Sequence, residues 1–284
     1  MALVRSRIIA RRLLSHRSGA VGLALVVLVV AAGVLAPALS RFDPNAIELE
    51  NALRPPGLSH PLGTDAFGRD IASRILFGAR FSLEVSVLSR LIAIALGTFL
   101  GLIAGYFGGR IDSLVMRLAD VTLAYPGLLL LIAVIAAVGP SMTALFVALG
   151  IVGWAGVARL VRAQVLSLKE REFVLAMRSL GAPDRVVIAR HLLPNVTTQL
   201  MVIFSMGLGT AIMAESSMSF LGLGAQPPTA SWGSMISTGL DYLRVAPWLC
   251  IAPGAVITLT VLGFNLLGDA LRDVLDPRLG GGIR

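Results

Sequence analysis

Residues 121–158 read VTLAYPGLLLLIAVIAAVGPSMTALFVALGIVGWAGVA, 38 positions without a charged side chain. A helix needs about 20 apolar residues to cross the hydrocarbon of a bilayer. A charge at mid-depth costs roughly 2.5–3.5 kcal/mol on insertion scales. The run is apolar enough for the membrane and too long for one crossing. Gly139-Pro140-Ser141 interrupts it with turn-forming residues, so it reads as two spans joined by a tight turn. Pro126 lies near the start of the first and predicts a kink there, because proline removes a backbone donor and crowds the preceding turn.

Four more uncharged runs flank this one: Ser18–Ser40, Leu91–Gly109, His191–Ala214 and Val245–Gly268. Six transmembrane helices result, and the fold class is an all-α integral membrane protein. The boundaries are a basic tail at 1–18, a first helix at 19–39, an outer loop at 40–80, a main membrane domain at 81–270 and a tail at 271–284. The first apolar run spans 23 residues, longer than a signal-peptide core of about 7–15, so it is read as a retained helix. Composition agrees: of 284 residues 56% are hydrophobic and 14% charged, with a mean hydropathy of +0.84. A soluble domain is nearer a quarter charged. A water-soluble enzyme, a disordered tail and a disulfide scaffold are excluded, the last because Cys250 is the single cysteine.

The net charge of +8 would suggest nucleic acid in a soluble chain. Here it follows topology. With the N-terminus inside, 17 of the 24 basic residues fall in cytoplasmic segments and 7 in outer ones. That bias places both termini in the cytoplasm and argues against nucleic-acid binding. Gly97, Gly101 and Gly105 recur every four residues, a spacing that lines small residues along one helical face and lets a second backbone approach.

The cytoplasmic segment 159–195 is the most informative. Leu166, Phe173, Met177 and Leu180 follow a helical spacing. Gly181 stands where a helix needs a left-handed residue to stop. Pro183 suits the first turn of a second, short helix, and Pro194 closes it. Helix, turn and short helix form an elbow. From the residues alone it either lies on lipid headgroups or docks a cytoplasmic partner.

The elbow resembles the EAA loop of permease subunits in ABC importers. The equivalents are Leu175-Ala176-Met177, Gly181 and His191-Leu192-Leu193-Pro194. Leu175 in place of Glu is usual in one subfamily, whereas Met177 is a departure that alters packing at a partner surface. Three further stretches carry the likeness: His60-Pro61-Leu62-Gly63-Thr64-Asp65 with Gly68-Arg69-Asp70, Ala214 to Gly224, and Phe264 to Asp273 with Asp276-Pro277-Arg278. Together they resemble the C-type permease of dipeptide, oligopeptide and nickel importers.

The resemblance implies a type I importer (MetI-like) permease fold in the inner membrane. It implies a second homologous permease subunit, two ATPase subunits and an extracytoplasmic solute-binding protein. Leu175, Ala176, Met177, Leu180, Gly181, Ala182, Pro183, Asp184, Leu193 and Pro194 would then meet the ATPase. ATP and Mg would be bound on that partner, not here. An independent observation agrees: a phosphate-binding P-loop needs Gly-Lys followed by Ser or Thr, and the sole lysine, Lys169, precedes Glu170. Peptide is the implied cargo, with nickel, haem or another small solute as alternatives. A secondary transporter would show paired broken helices from an internal repeat, and no convincing duplication is present.

Glu215 is the one acidic residue at the end of the fifth span. It is a candidate for the pathway or a gate, or else it bonds Ser216 or Ser217 in the turn that follows. His16, His60 and His191 are scattered and have no second ligand at metal spacing, so neither a metal site nor a catalytic centre is expected. Glu84 and Arg90, six apart, do not share a helical face.

Overall fold

The computed structural model describes residue 13 and residues 16–275. The basic stretch Arg5–Arg12 and the Asp276-Pro277-Arg278 part of the third motif lie outside the described residues. Among those described, nearly all order is helical: α1 (Arg17–Val34), α2 (Ile71–Phe107), α3 (Gly109–Ala124), α4 (Gly127–Val138), α5 (Met142–Lys169), α6 (Glu172–Ser179), α7 (Asp184–Phe220), α8 (Trp232–Gly239) and α9 (Trp248–Leu275). Five of these (α1, α2, α5, α7 and α9) are long and apolar enough to cross a membrane, and the number is six when the bent pair α3 and α4 is counted as one broken span.

That pair turns by 94°. The cause is local. Proline forces the residue before it out of the helical region, and Tyr125 is extended at φ −92°, ψ 142°. The expected kink at Pro126 is thus a full corner. The turn at Gly139-Pro140-Ser141 is where the sequence puts it: Gly139 has φ +95°, and Ser141 Oγ accepts from Ala144 N–H to start α5.

The second span differs from expectation. Arg74, Arg80, Glu84 and Arg90 suggest a polar lead-in, yet the helix already runs from Ile71. Asp70 starts it, its carboxylate accepting from both the backbone N–H and the hydroxyl of Ser73 at 2.7 Å, an N-cap of the ordinary kind.

Two compact units partition the chain: residues 1–87, 134–146 and 205–284, and residues 88–133 and 147–204. In the first, α1 packs on α9 through glycines. A Cβ at Gly22 would stand 2.6 Å from the Leu267 nitrogen, and one at Gly263 would stand 2.8 Å from the Leu25 Cβ. Ile71, Ile75, Met235, Ala246 and Leu249 form a further cluster in this unit.

The second unit is built on the glycine stripe. Cβ atoms at Gly97, Gly101 and Gly105 would stand 2.7, 2.6 and 3.0 Å from the carbonyl oxygens of Trp154, Ala158 and Arg162. Helices α2 and α5 therefore touch backbone to backbone. Arg162 grips Asp112 with two donors and Arg159 pairs with Asp120, which ties α3 to α5. Opposite charges at such a crossing fix its register more than they add to stability.

Candidate functional site

The elbow lies wholly in the second unit, and its core explains its shape. Val165 on α5, Val174 on α6, and Val187 and Leu192 on α7 are all buried in one cluster with Leu102, Val157 and Val161. Val165 and Val174 are nine residues apart. At 100° per residue they would face opposite ways on one continuous helix. The chain solves this by breaking at Glu170-Arg171, where Arg171 is extended at ψ 144° and accepts the first N–H groups of α6. The stripe read from Leu166 through Leu180 therefore does not run on one helix. Val174 is the buried residue of α6, while Phe173, Leu175 and Leu180 are exposed and Met177 is half-buried.

Helix α6 carries Glu172 in its first turn and Arg178 in its last, both matched to the helix dipole. It stops where expected. Gly181 has φ +75°; its N–H donates to Arg178 O at 3.0 Å, and Ala182 N–H reaches back to Met177 O at 3.1 Å. This pair of bonds is the Schellman stop. A Cβ at Gly181 would meet nothing within 4 Å, so the glycine is required by backbone conformation and not by space.

Pro183 stands one place earlier than expected, as the residue that caps α7 and not inside its first turn, with φ −68° and ψ 144°. Its carbonyl accepts from Val186 and Val187. Pro194 does not end a separate short helix. The chain stays helical from Asp184 to Phe220 because residues Val187–Leu192 widen into a π turn. Leu193 N–H then bonds Ile188 O, one residue further back than in an α-helix. The widened turn directly precedes Pro194, whose ring would crowd the carbonyl of the preceding turn in a regular helix.

Two braces hold the elbow that sequence reading did not find. Tyr106, near the end of α2, donates its hydroxyl to Asp184 Oδ1 at 2.5 Å, and the Arg178 guanidinium lies 6.0 Å from its ring centre. The rings of Phe173 and His191 lie 6.5 Å apart, tilted by 45°, between α6 and α7. Tyr106 is 78 residues from Asp184, and no local pattern links them. The arrangement leaves apolar side chains uncovered around a fixed base: Phe173, Leu175, Leu180 and Leu193 are 42%, 45%, 83% and 37% exposed.

Glu215 belongs to the other unit and is 0% exposed. Ser82 donates to its Oε2 at 2.6 Å, Ser219 to its Oε1 at 2.7 Å, and Ser216 to Oε2 at 3.3 Å. Ser217 instead bonds Met213 O. The carboxylate thus locks α7 to α2, through a partner 133 residues away. Ser219 also accepts from Ala225 N–H and lines a cavity of about 540 Å³ with Phe67, Arg69, Arg74, Gln226 and Thr238. The motif His60–Asp70 forms another part of this region. His60 and Asp70 meet at 2.9 Å, while Asp65 accepts from Phe67 N–H, Arg69 N–H and the Arg69 guanidinium.

The network predicts a graded response. Glu215→Leu leaves three hydroxyls without their acceptor and is expected to cost about 3 kcal/mol. Glu215→Gln keeps the shape and one acceptor and is expected to cost roughly 1 kcal/mol. Thermal unfolding of the detergent-extracted complex reads the difference, and equal melting of the two variants would show that the serines are not held by this residue.

The chain matches the model of the binding-protein-dependent transport system inner membrane component over residues 97–281. Residues 5–56 match the N-terminal transmembrane domain of oligopeptide transport permease C. It is 42% identical to a dipeptide transport system permease of Alkalihalophilus pseudofirmus, over 95% of this chain and 88% of that one. Identity to an oligopeptide transport system permease of Bacillus subtilis is 40%, over 94% and 88%. A glutathione transport system permease of Pectobacterium atrosepticum is 44% identical, over 95% and 89%. The chain thus belongs to the family of binding-protein-dependent transport system inner membrane components, as a multi-pass permease subunit of an importer.

Proposed function

We propose that this subunit forms half of a peptide pathway and is driven through the elbow by ATP hydrolysis on separate chains. Peptide is supported by the relatives named for dipeptide, oligopeptide and glutathione transport. The observation that carries the drive is the exposure of four apolar side chains, Phe173, Leu175, Leu180 and Leu193, on a base fixed by Val174 and Val187. A short helix that leaves apolar side chains uncovered on a fixed base fits a groove on a partner. Gly181 sets the angle of the elbow, while Ala182, Pro183 and Asp184 join its two arms.

In this scheme both termini and the elbow lie in the cytoplasm. A second permease completes the pathway, two ATPase subunits hold ATP and Mg²⁺, and an external binding protein delivers solute on the side of residues 40–70. Closure of the ATPases moves the two elbows, and the pathway opens alternately to either side.

The test is reconstitution in vesicles with the partner permease, the ATPases and the binding protein, in a Cys250→Ala background carrying Leu180→Cys. ATP-dependent uptake of labelled dipeptide, with photo-crosslinking of an ATPase chain by a benzophenone maleimide attached at position 180, is the expected result. Uptake that persists without the ATPases, or a bimane label at position 180 quenched only by brominated lipid, would overturn it.

A further inference from the structure

Arg90 takes part in neither the elbow nor the Glu215 network. It sits in α2 directly before the uncharged run Leu91–Gly109, and it is half-buried within the second unit. One terminal nitrogen, Nη2, donates to Ile203 O on α7 at 2.9 Å. Nε is buried and finds no hydrogen-bond partner. A Cβ built on Gly153 of α5 would lie 4.0 Å from Nη1, so the guanidinium is set against a residue with no side chain to crowd it. Among the described residues the ion pairs engage His60, Arg69, Arg74, Arg159 and Arg162, and none of their carboxylates pairs with Arg90.

A guanidinium at membrane depth without a counter-ion is costly, and such residues are kept for solute or ion contact or for a partner. Its planar edge matches the two oxygens of a carboxylate. One donor is committed to a helix carbonyl, which aims the group; Nε is closed off, so a carboxylate meets what of the side chain stays partly exposed. We propose that Arg90 receives the carboxylate of the solute as it crosses. This rests on the peptide reading, since a peptide presents a free C-terminal carboxylate.

The experiment uses the whole reconstituted complex and compares one dipeptide with its C-terminal amide. Each is supplied on binding protein already shown to be loaded with it. In the unaltered complex the free dipeptide is expected to cross about tenfold faster than the amide, as a charge-assisted contact implies. In Arg90→Gln that preference is expected to vanish, through loss of dipeptide uptake, and Arg90→Lys is expected to restore part of it.

Equal uptake of both ligands by the unaltered complex would overturn the proposal whatever the variants do. An equal fall for both ligands in Arg90→Gln would do so as well, and would assign the residue to clamping Ile203 or to a carboxylate on the second permease. Failure of the unaltered complex to move either ligand would overturn the peptide reading itself, a result distinguishable from the other two.

Discussion

Gly181→Val is expected to abolish ATP-driven uptake while the transporter still assembles. The residue has φ +75° with open space around it, so the loss comes from the backbone alone. A side chain in the left-handed region costs roughly 1–2 kcal/mol, and β-branching adds to that. The chain escapes by unwinding the end of α6, which releases the bonds from Ala182 to Met177 and from Gly181 to Arg178. The exposed Leu175 and Leu180 then lose their fixed position relative to Leu193. Uptake in vesicles is expected to fall more than tenfold, and hydrolysis is expected to lose its stimulation by loaded binding protein. Gly181→Asn, which tolerates this conformation, is expected to keep most of both. Valine and asparagine variants that behave alike would show that the turn does not transmit motion.

Gly101→Leu is expected to have the larger effect on the folded protein. The hypothetical Cβ lies 2.6 Å from Ala158 O and 2.8 Å from the Val161 Cβ. Neither is the far end of a flexible side chain, so relief requires α2 and α5 to separate along the whole stripe. Overpacking of this sort costs upwards of about 3 kcal/mol. The recovered yield of intact complex is expected to drop to near background. Even alanine, which should favour a helix by roughly 1 kcal/mol over glycine, is expected to destabilise here. Gly156→Ala on α5, where the added carbon meets nothing within 4 Å, is expected to be tolerated. Unchanged yield of Gly101→Leu would mean that α2 and α5 do not make this contact.

Features that depend on a few neighbouring residues were readable in advance. Gly139-Pro140-Ser141 announced its turn, Gly181 announced its stop, and the spacing of Gly97, Gly101 and Gly105 announced a close helix approach. Other features were hidden because their causes lie far along the chain. The break at Glu170-Arg171 falls among strong helix formers and exists so that Val165 and Val174 can share one core. The early start of α2 was masked by Arg74, Arg80, Glu84 and Arg90, which mimic a loop when depth is judged by charge alone. Tyr106 and Ser82 entered the candidate sites only through contacts spanning 78 and 133 residues. Pro194 misled for a different reason: proline normally ends a helix, and the π turn at Val187–Leu192 leaves no mark in hydropathy.

The corner at Tyr125 carries a consequence for the lipid. Beyond it α4 holds only 12 residues, Gly127–Val138, or about 18 Å of helix at 1.5 Å each. A hydrocarbon slab is about 30 Å thick. Leu129 and Val138 remain 60% and 72% uncovered in the single subunit. So stunted a rod does not reach across on its own, and any crossing here is a broken one that α3 shares around the corner.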